Sequence, residues 1–156
     1  MENNIKKNTK ELENILNGTH IDEINEFLQE HSESFLNDEF PFSTYIRDII
    51  RSKGIKQQDV FLNADIPERY GYKLISGEKR TKQRDIIFRL CYAAQLTLEQ
   101  TQRALKLYHM PELYSKIPRD ALLMITLNTH PGSIFDVNSL LEQHNMAALT
   151  ACGNID

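Results

Sequence analysis

IKQQDVFLNADIPERYGYKLISGEKR, from Ile55 to Arg80, is the stretch whose reading decides the fold. It divides into a short helix opening near Lys56, a tight turn at Asp65-Ile66-Pro67, and a second helix stopping at Ser76-Gly77. Gln57 and Gln58 occupy the first turn of the first helix, and Val60, Phe61 and Ala64 supply its apolar side. The turn wants a residue that tolerates positive φ, and Asp65 does so better than most residues bearing a side chain. Pro67 suits the first turn of a helix, where a missing N–H costs little. Two helices joined this tightly make a helix-turn-helix, whose second helix is shaped to enter a DNA groove.

Working outward, the flanks read as helices throughout. On the N-terminal side, Ser43 can cap a helix whose buried stripe is Tyr45, Ile46, Ile49 and Ile50, closed by Gly54. Ahead of it, Asn37 to Phe42 (NDEFPF) reads as a linker interrupted by Pro41. Residues 1–10 are polar and are expected to fray, and Glu11–Leu16 forms a helix stopped at Asn17-Gly18. Thr19 with Asp22 reads as a capping pair for a helix with Ile21, Ile24, Phe27 and Leu28 on one face and glutamates on the other. That acidic helix is either a solvated outer helix or a dimerisation or partner surface.

Beyond the stretch, Gln83–Ala94 carries Ile86, Ile87, Leu90 and Ala94 on an inner side, with Cys91 as a small buried hydrophobe. Thr97 and Gln100 open a helix running through Ala104, Leu105 and Tyr108, which breaks at His109 to Pro111. Two further helices fit Pro118–Asn128, with Leu122, Leu123, Ile125 and Leu127, and Ser133–His144, where Ser133 and Asp136 form a third capping pair. These last helices either dimerise or enlarge the core. No strand alternation is present, so the expected class is all-α. The expected organisation is an acidic N-terminal extension over 1–40, a helix-turn-helix domain over 43–108, and a C-terminal helical region over 109–156.

The net charge of -4 averages over unlike parts. Residues 1–42 hold three Lys against ten Asp and Glu, residues 43–108 thirteen Lys and Arg against seven acids, and residues 109–156 two against five. Positive charge therefore sits on the segment that contains the motif, between acidic flanks, as in a module that faces DNA. No stretch is long and apolar enough to span a membrane, and MENNIKKNTKELENIL lacks the apolar run of a signal peptide. Cys91 and Cys152 are the two cysteines; far apart and in unlike settings, they suggest neither a disulfide framework nor a metal site, and point to the cytoplasm. Catalysis is not expected. SGEKRT lacks the glycine spacing and Gly-Lys-Ser/Thr order of a phosphate loop, and the five histidines show no metal-ligand spacing. No cofactor is implied.

Taken together, the five helices from Ser43 to Tyr108 resemble the Xre or lambda-repressor-like helix-turn-helix family. The resemblance rests on Gln57 near the start of the second helix, Ala64 before the turn, Ile66 after it and Gly77 closing the recognition helix, in the family's spacing without a gap. YGYKLISGEKR, LTLEQTQRALKLY, PELYSK and PRDALLMITLN are similar to a bacterial subgroup that adds a C-terminal helical region. Two positions depart from the family pattern. Asp65 stands where a turn glycine is usual, and Gly71 stands between Tyr70 and Tyr72 where a core aliphatic is usual. One of those tyrosines is expected to fill the space beside Gly71.

The resemblance implies double-stranded DNA as the partner and a homodimer as the working form, since one recognition helix reads one half-site. It maps base-facing roles to Glu68, Arg69, Tyr70 and Lys73. By chemistry, Arg69 can fork to guanine and Glu68 can accept from the cytosine amino group, while Tyr70 or Tyr72 can meet a sugar or a thymine methyl. Gln57 at a helix N-terminus takes the phosphate-contacting role. Lys79, Arg80, Lys82 and Arg84 form a basic cluster expected to clamp the backbone without specifying sequence. The competing reading leaves Glu68, Arg69 and the cluster as a solvated charged face with Tyr70 in the core. A protein-interaction module that keeps the repressor-like core and holds a partner through the acidic N-terminal helices is the alternative function.

Overall fold

Helix α6, Arg84–Ala93, has eight of its ten residues buried, seven of them apolar and the eighth Arg89, and a helix covered on all sides must sit in the middle of a fold. The computed structural model describes residues 6–35 and 40–153, which fall into two compact units divided at residue 39. In the second unit α6 is surrounded. Ahead of it come α3 (Pro41–Ser52), α4 (Gln57–Ala64) and α5 (Glu68–Ser76); after it come α7 (Leu98–Leu107), α8 (Pro118–Thr129) and α9 (Ile134–Gln143). Helices α4, α7 and α9 all pack on α6, while α3 packs on α5 and α7. Secondary structure among the described residues is all-helical.

One core runs through the whole unit, from Phe42 and Ile46 to Val137, Leu141 and Leu149. Of the two readings left open for the helices after residue 108, enlarging the core is the one their buried side chains follow. Tyr92 on α6 shows the join, donating to the Gly132 carbonyl at 2.7 Å and stacking on His130 with ring centroids 4.2 Å apart. Burial of seven apolar α6 side chains exceeds the expected one-sided stripe because α9 covers the face that a shorter domain would leave to solvent.

Several local expectations are corrected. Pro41 does not interrupt; it is the first residue of α3, with Phe40 at the N-cap and Phe42 fully buried. Ser43 lies inside that first turn, with its hydroxyl buried, and is not the cap. The rest of the expected linker, Asn37 to Glu39, lies outside the described residues. In α8, Leu123 and Leu127 are buried with Asp120 and Thr126, but Ile125 points out. At 100° per residue, positions 123, 125 and 127 cannot share one face. The capping boxes at Thr97/Gln100 and Ser133/Asp136 form as expected.

The first unit holds α1 (Thr9–Asn17), a one-turn 3-10 helix at Ile21–Glu23, α2 (Ile24–Glu30) and a second such turn at Ser32–Ser34. Asn8 and Glu11 form a capping box at the start of α1, and Gly18 ends it. Thr19 does not cap the next helix: its hydroxyl donates back to the Ile15 carbonyl at 2.7 Å, and His20 takes the capping place. Phe27 is the one buried apolar side chain of α2, set against His31 and Phe35. Ile21, Ile24 and Leu28 stay 74%, 39% and 48% exposed, so most of the expected apolar face of this segment is open. The first five residues lie outside the described set.

Candidate nucleic-acid interface

Helices α4 and α5 meet at a turn whose backbone obeys the residues that make it. Asp65 is left-handed (φ 54°, ψ 49°), and its N–H and that of Ile66 return to the Leu62 and Phe61 carbonyls. Pro67 then acts as the N-cap of α5, which starts at Glu68, one residue later than its usual helical place would suggest. At the far end Gly77 is left-handed (φ 83°), and a Cβ there would lie 2.5 Å from the Phe40 ring, so both backbone and space require glycine.

The inward side of α5 is Gly71, Leu74 and Ile75. Gly71 is buried because the Phe61 ring of α4 lies on it; a Cβ would come within 2.3 Å of Phe61 Cδ1. The space expected for a tyrosine is thus filled from the other helix of the pair. Tyr72 is exposed and meets the outer edge of Phe61 at 4.8 Å between centroids, nearly perpendicular. Glu68, Arg69, Tyr72 and Ser76 form the exposed face, with Lys73 half-buried at its edge and 4.0 Å from Glu78. Glu68 also faces the first turn of α4, where the Gln58 amide donates to it at 3.5 Å. Gln57, one residue earlier, is half-buried.

Tyr70 turns away from that face. It packs half-buried on the core, and burial raises its phenol pKa while a hydrogen bond with the Thr81 side chain opposes the rise. Thr81 belongs to the loop 77–83, which is held at several points. Its N–H donates to the Tyr108 hydroxyl at 2.9 Å, the Lys79 N–H returns to the Lys73 carbonyl, and the Gln83 N–H is taken by the Thr81 hydroxyl. Arg80 lies over the Phe40 ring at 4.1 Å, a cation–π contact that leaves its outer edge in solvent. Lys82 is exposed. The loop thus carries Lys79, Arg80 and Lys82 on a fixed backbone beside α5.

Arg84 does not share this setting. Its guanidinium makes a two-pronged ion pair with Asp120, which is almost wholly buried, and also reaches the Glu112 carbonyl. It joins α6 to α8 and is withdrawn from the cluster of which the sequence makes it a member. Residues that sequence reading passed over are Gln58, Thr81, Tyr108 and Phe40. Gln58 had a legible signal, its place in the first turn of α4; the other three serve through contacts 27 or more residues away, or through a ring beneath Arg80.

Among the described residues no group of three His, Cys, Asp or Glu side chains gathers that could hold a metal ion, and no helix is long and apolar enough to cross a membrane. Comparison with protein-family models, with curated proteins and with solved structures finds no match to the chain.

Proposed function

We propose that this chain is a sequence-specific double-stranded DNA-binding regulator of transcription, of the Xre or lambda-repressor-like kind, that lays α5 in the major groove and works as a homodimer. The observation that carries the reading is the exposed face of Glu68, Arg69 and Tyr72, with Lys73 half-buried at its edge, beside a loop whose backbone is pinned and which carries Lys79, Arg80 and Lys82. Base edges are read by the first turns of such a helix, and phosphates by the neighbouring cations. Arg69 and Glu68 take the base-facing roles, with Tyr72 for a sugar or methyl; Gln57, Lys79, Arg80 and Lys82 take phosphates. Tyr70 and Arg84 leave the contact set, the first as an anchor of the basic loop and the second as the partner of Asp120.

Selection of bound duplexes from a random pool, with mass in solution measured alongside, tests this directly. Arg69→Ala should lose roughly 1–3 kcal/mol of discrimination at one base position. Absence of duplex binding above background at low salt rejects the reading. A second reading is favoured by Ile21, Ile24 and Leu28, exposed among acidic residues: a protein partner held through residues 21–28. Its signature is co-purification of one defined partner that is lost on Ile21→Ser with Leu28→Ser and survives neutralisation of the basic loop.

A further inference from the structure

After α9 the chain runs without regular structure from Met146 to Gly153, and its stretch Ala147–Thr150 is held in an unusual way. Leu149 is its one buried side chain. Its four carbonyls and the N–H groups of Leu149 and Thr150, by contrast, are all bonded to side chains of the helices. The Leu149 N–H donates to Asn138 at 2.8 Å, and the Thr150 N–H and hydroxyl donate to Asp85 at 2.9 and 3.1 Å. Arg119 donates to the Ala147 and Ala148 carbonyls while its fork grips Asp85. Arg89 donates to the Leu149 and Thr150 carbonyls at 3.0 and 2.9 Å.

Arg89 is the informative member. It is 2% exposed, and its remaining nitrogen donates at 3.2 Å to the carbonyl of Ala64, the last residue of α4, immediately before left-handed Asp65. Main-chain carbonyls are its hydrogen-bond partners, so the buried guanidinium is satisfied by the C-terminal end of α4 and by the tail together. We infer that Ala147–Thr150 is a strap that sets the turn of the helix-turn-helix through Arg89. Release of the strap strands two donors of a buried cation, a state costly enough that Arg89 must draw in water or leave its pocket. Either response loosens its grip on Ala64 and, through it, the angle at which α5 leaves the turn. Whatever binds or removes the tail therefore acts on the recognition helix, and by linkage a ligand that orders α5 tightens the strap.

The final step rests on the DNA-binding reading, but the coupling itself does not, so it is tested without DNA. Amide hydrogen exchange is followed in the full chain, in a chain stopped after Met146, and in a full-length Asn138→Ala/Leu149→Ala variant that leaves Arg89 and Ala64 untouched. The turn amides of Asp65 and Ile66 are expected to exchange at least about tenfold faster in both variants, while Ala104 and Leu105 of α7 keep their rates. Should the stopped chain fail to fold, the double substitution decides. Unchanged turn amides, or equal acceleration in α7, overturn the inference. A full-length chain that binds no duplex would reject the DNA reading while leaving the exchange result to stand or fall by itself.

Discussion

Gly71 shows how much one missing methyl can decide. Glycine inside a helix costs about 0.5–1 kcal/mol relative to alanine, yet here it lets the Phe61 ring close directly on the α5 backbone. Gly71→Ala is therefore expected to destabilise, by roughly 1–3 kcal/mol from overpacking, despite its better helix propensity. Urea unfolding checks this, and adding Phe61→Leu should recover part of the loss, a non-additivity that marks the contact itself. Two other residues have distinct ionisation. Burial raises the Asp85 carboxyl, but the Arg119 fork and the Thr150 hydrogen bonds outweigh it and hold the group below the usual carboxylate value. A depressed folded-state pKa contributes stability that is complete above the unfolded value near ~4 and is lost as pH falls through the lower folded value. The stability gap between the native chain and Asp85→Asn should accordingly be constant near neutrality and narrow below about pH 4. Cys91 is fully buried, which pushes its thiol up to about 12. At neutral pH an alkylating reagent should leave Cys91 untouched until the chain unfolds, as peptide mass mapping would show.

At the scale of elements, the loop from Gly77 to Gln83 matters more than its length suggests. It is a connection between two helices, yet a left-handed glycine, a ring beneath Arg80 and the Tyr108 hydroxyl give it one backbone path. Tyr108→Phe removes the acceptor of the Thr81 N–H and is expected to cost about 1 kcal/mol in unfolding experiments. Under the proposed function it should also weaken binding to all duplexes alike, because it disturbs cations that position without reading. Lys82→Ala belongs to the same class, lowering affinity uniformly and reducing the salt slope by about one. The capping signals at Thr97 and Ser133 were legible because each depends on residues three apart in sequence. The pattern at Thr19 failed because its hydroxyl, two residues past the end of α1, had an acceptor one turn back in the Ile15 carbonyl.

The whole second unit is organised about α6 rather than about the helix-turn-helix. Leu123, Leu127, Val137 and Leu141 supply core that α6 and α7 would otherwise lack, and Asp120 and Arg119 tie α8 to Arg84 and Asp85 at the start of α6. A fragment ending at Tyr108 would leave Tyr92 and its neighbours uncovered. It is expected to lose cooperative unfolding by circular dichroism, whereas a fragment of residues 40–156 should keep it. Outer residues of the added helices, Ile125 and Phe135, remain 60% exposed, so enlarging the core has not consumed every apolar position there.

Sequence alone determined what depends on neighbours along the chain: helix after helix, the left-handed turn at Asp65, the stop at Gly77, two capping boxes, and a concentration of positive charge on one segment. These follow from local steric and hydrogen-bonding rules, which act over three or four residues. Tertiary structure decided the rest. Which ring fills the space at Gly71, that Arg84 is spent on Asp120 while Arg80 stays at the surface, and that Arg89 joins the tail to the turn all depend on groups brought together from 10 to 61 positions apart. Identical side chains carry no mark in the sequence of whether a carboxylate, a ring or a carbonyl will meet them. Only the packing of the helices and their connecting loops against one another supplies that partner.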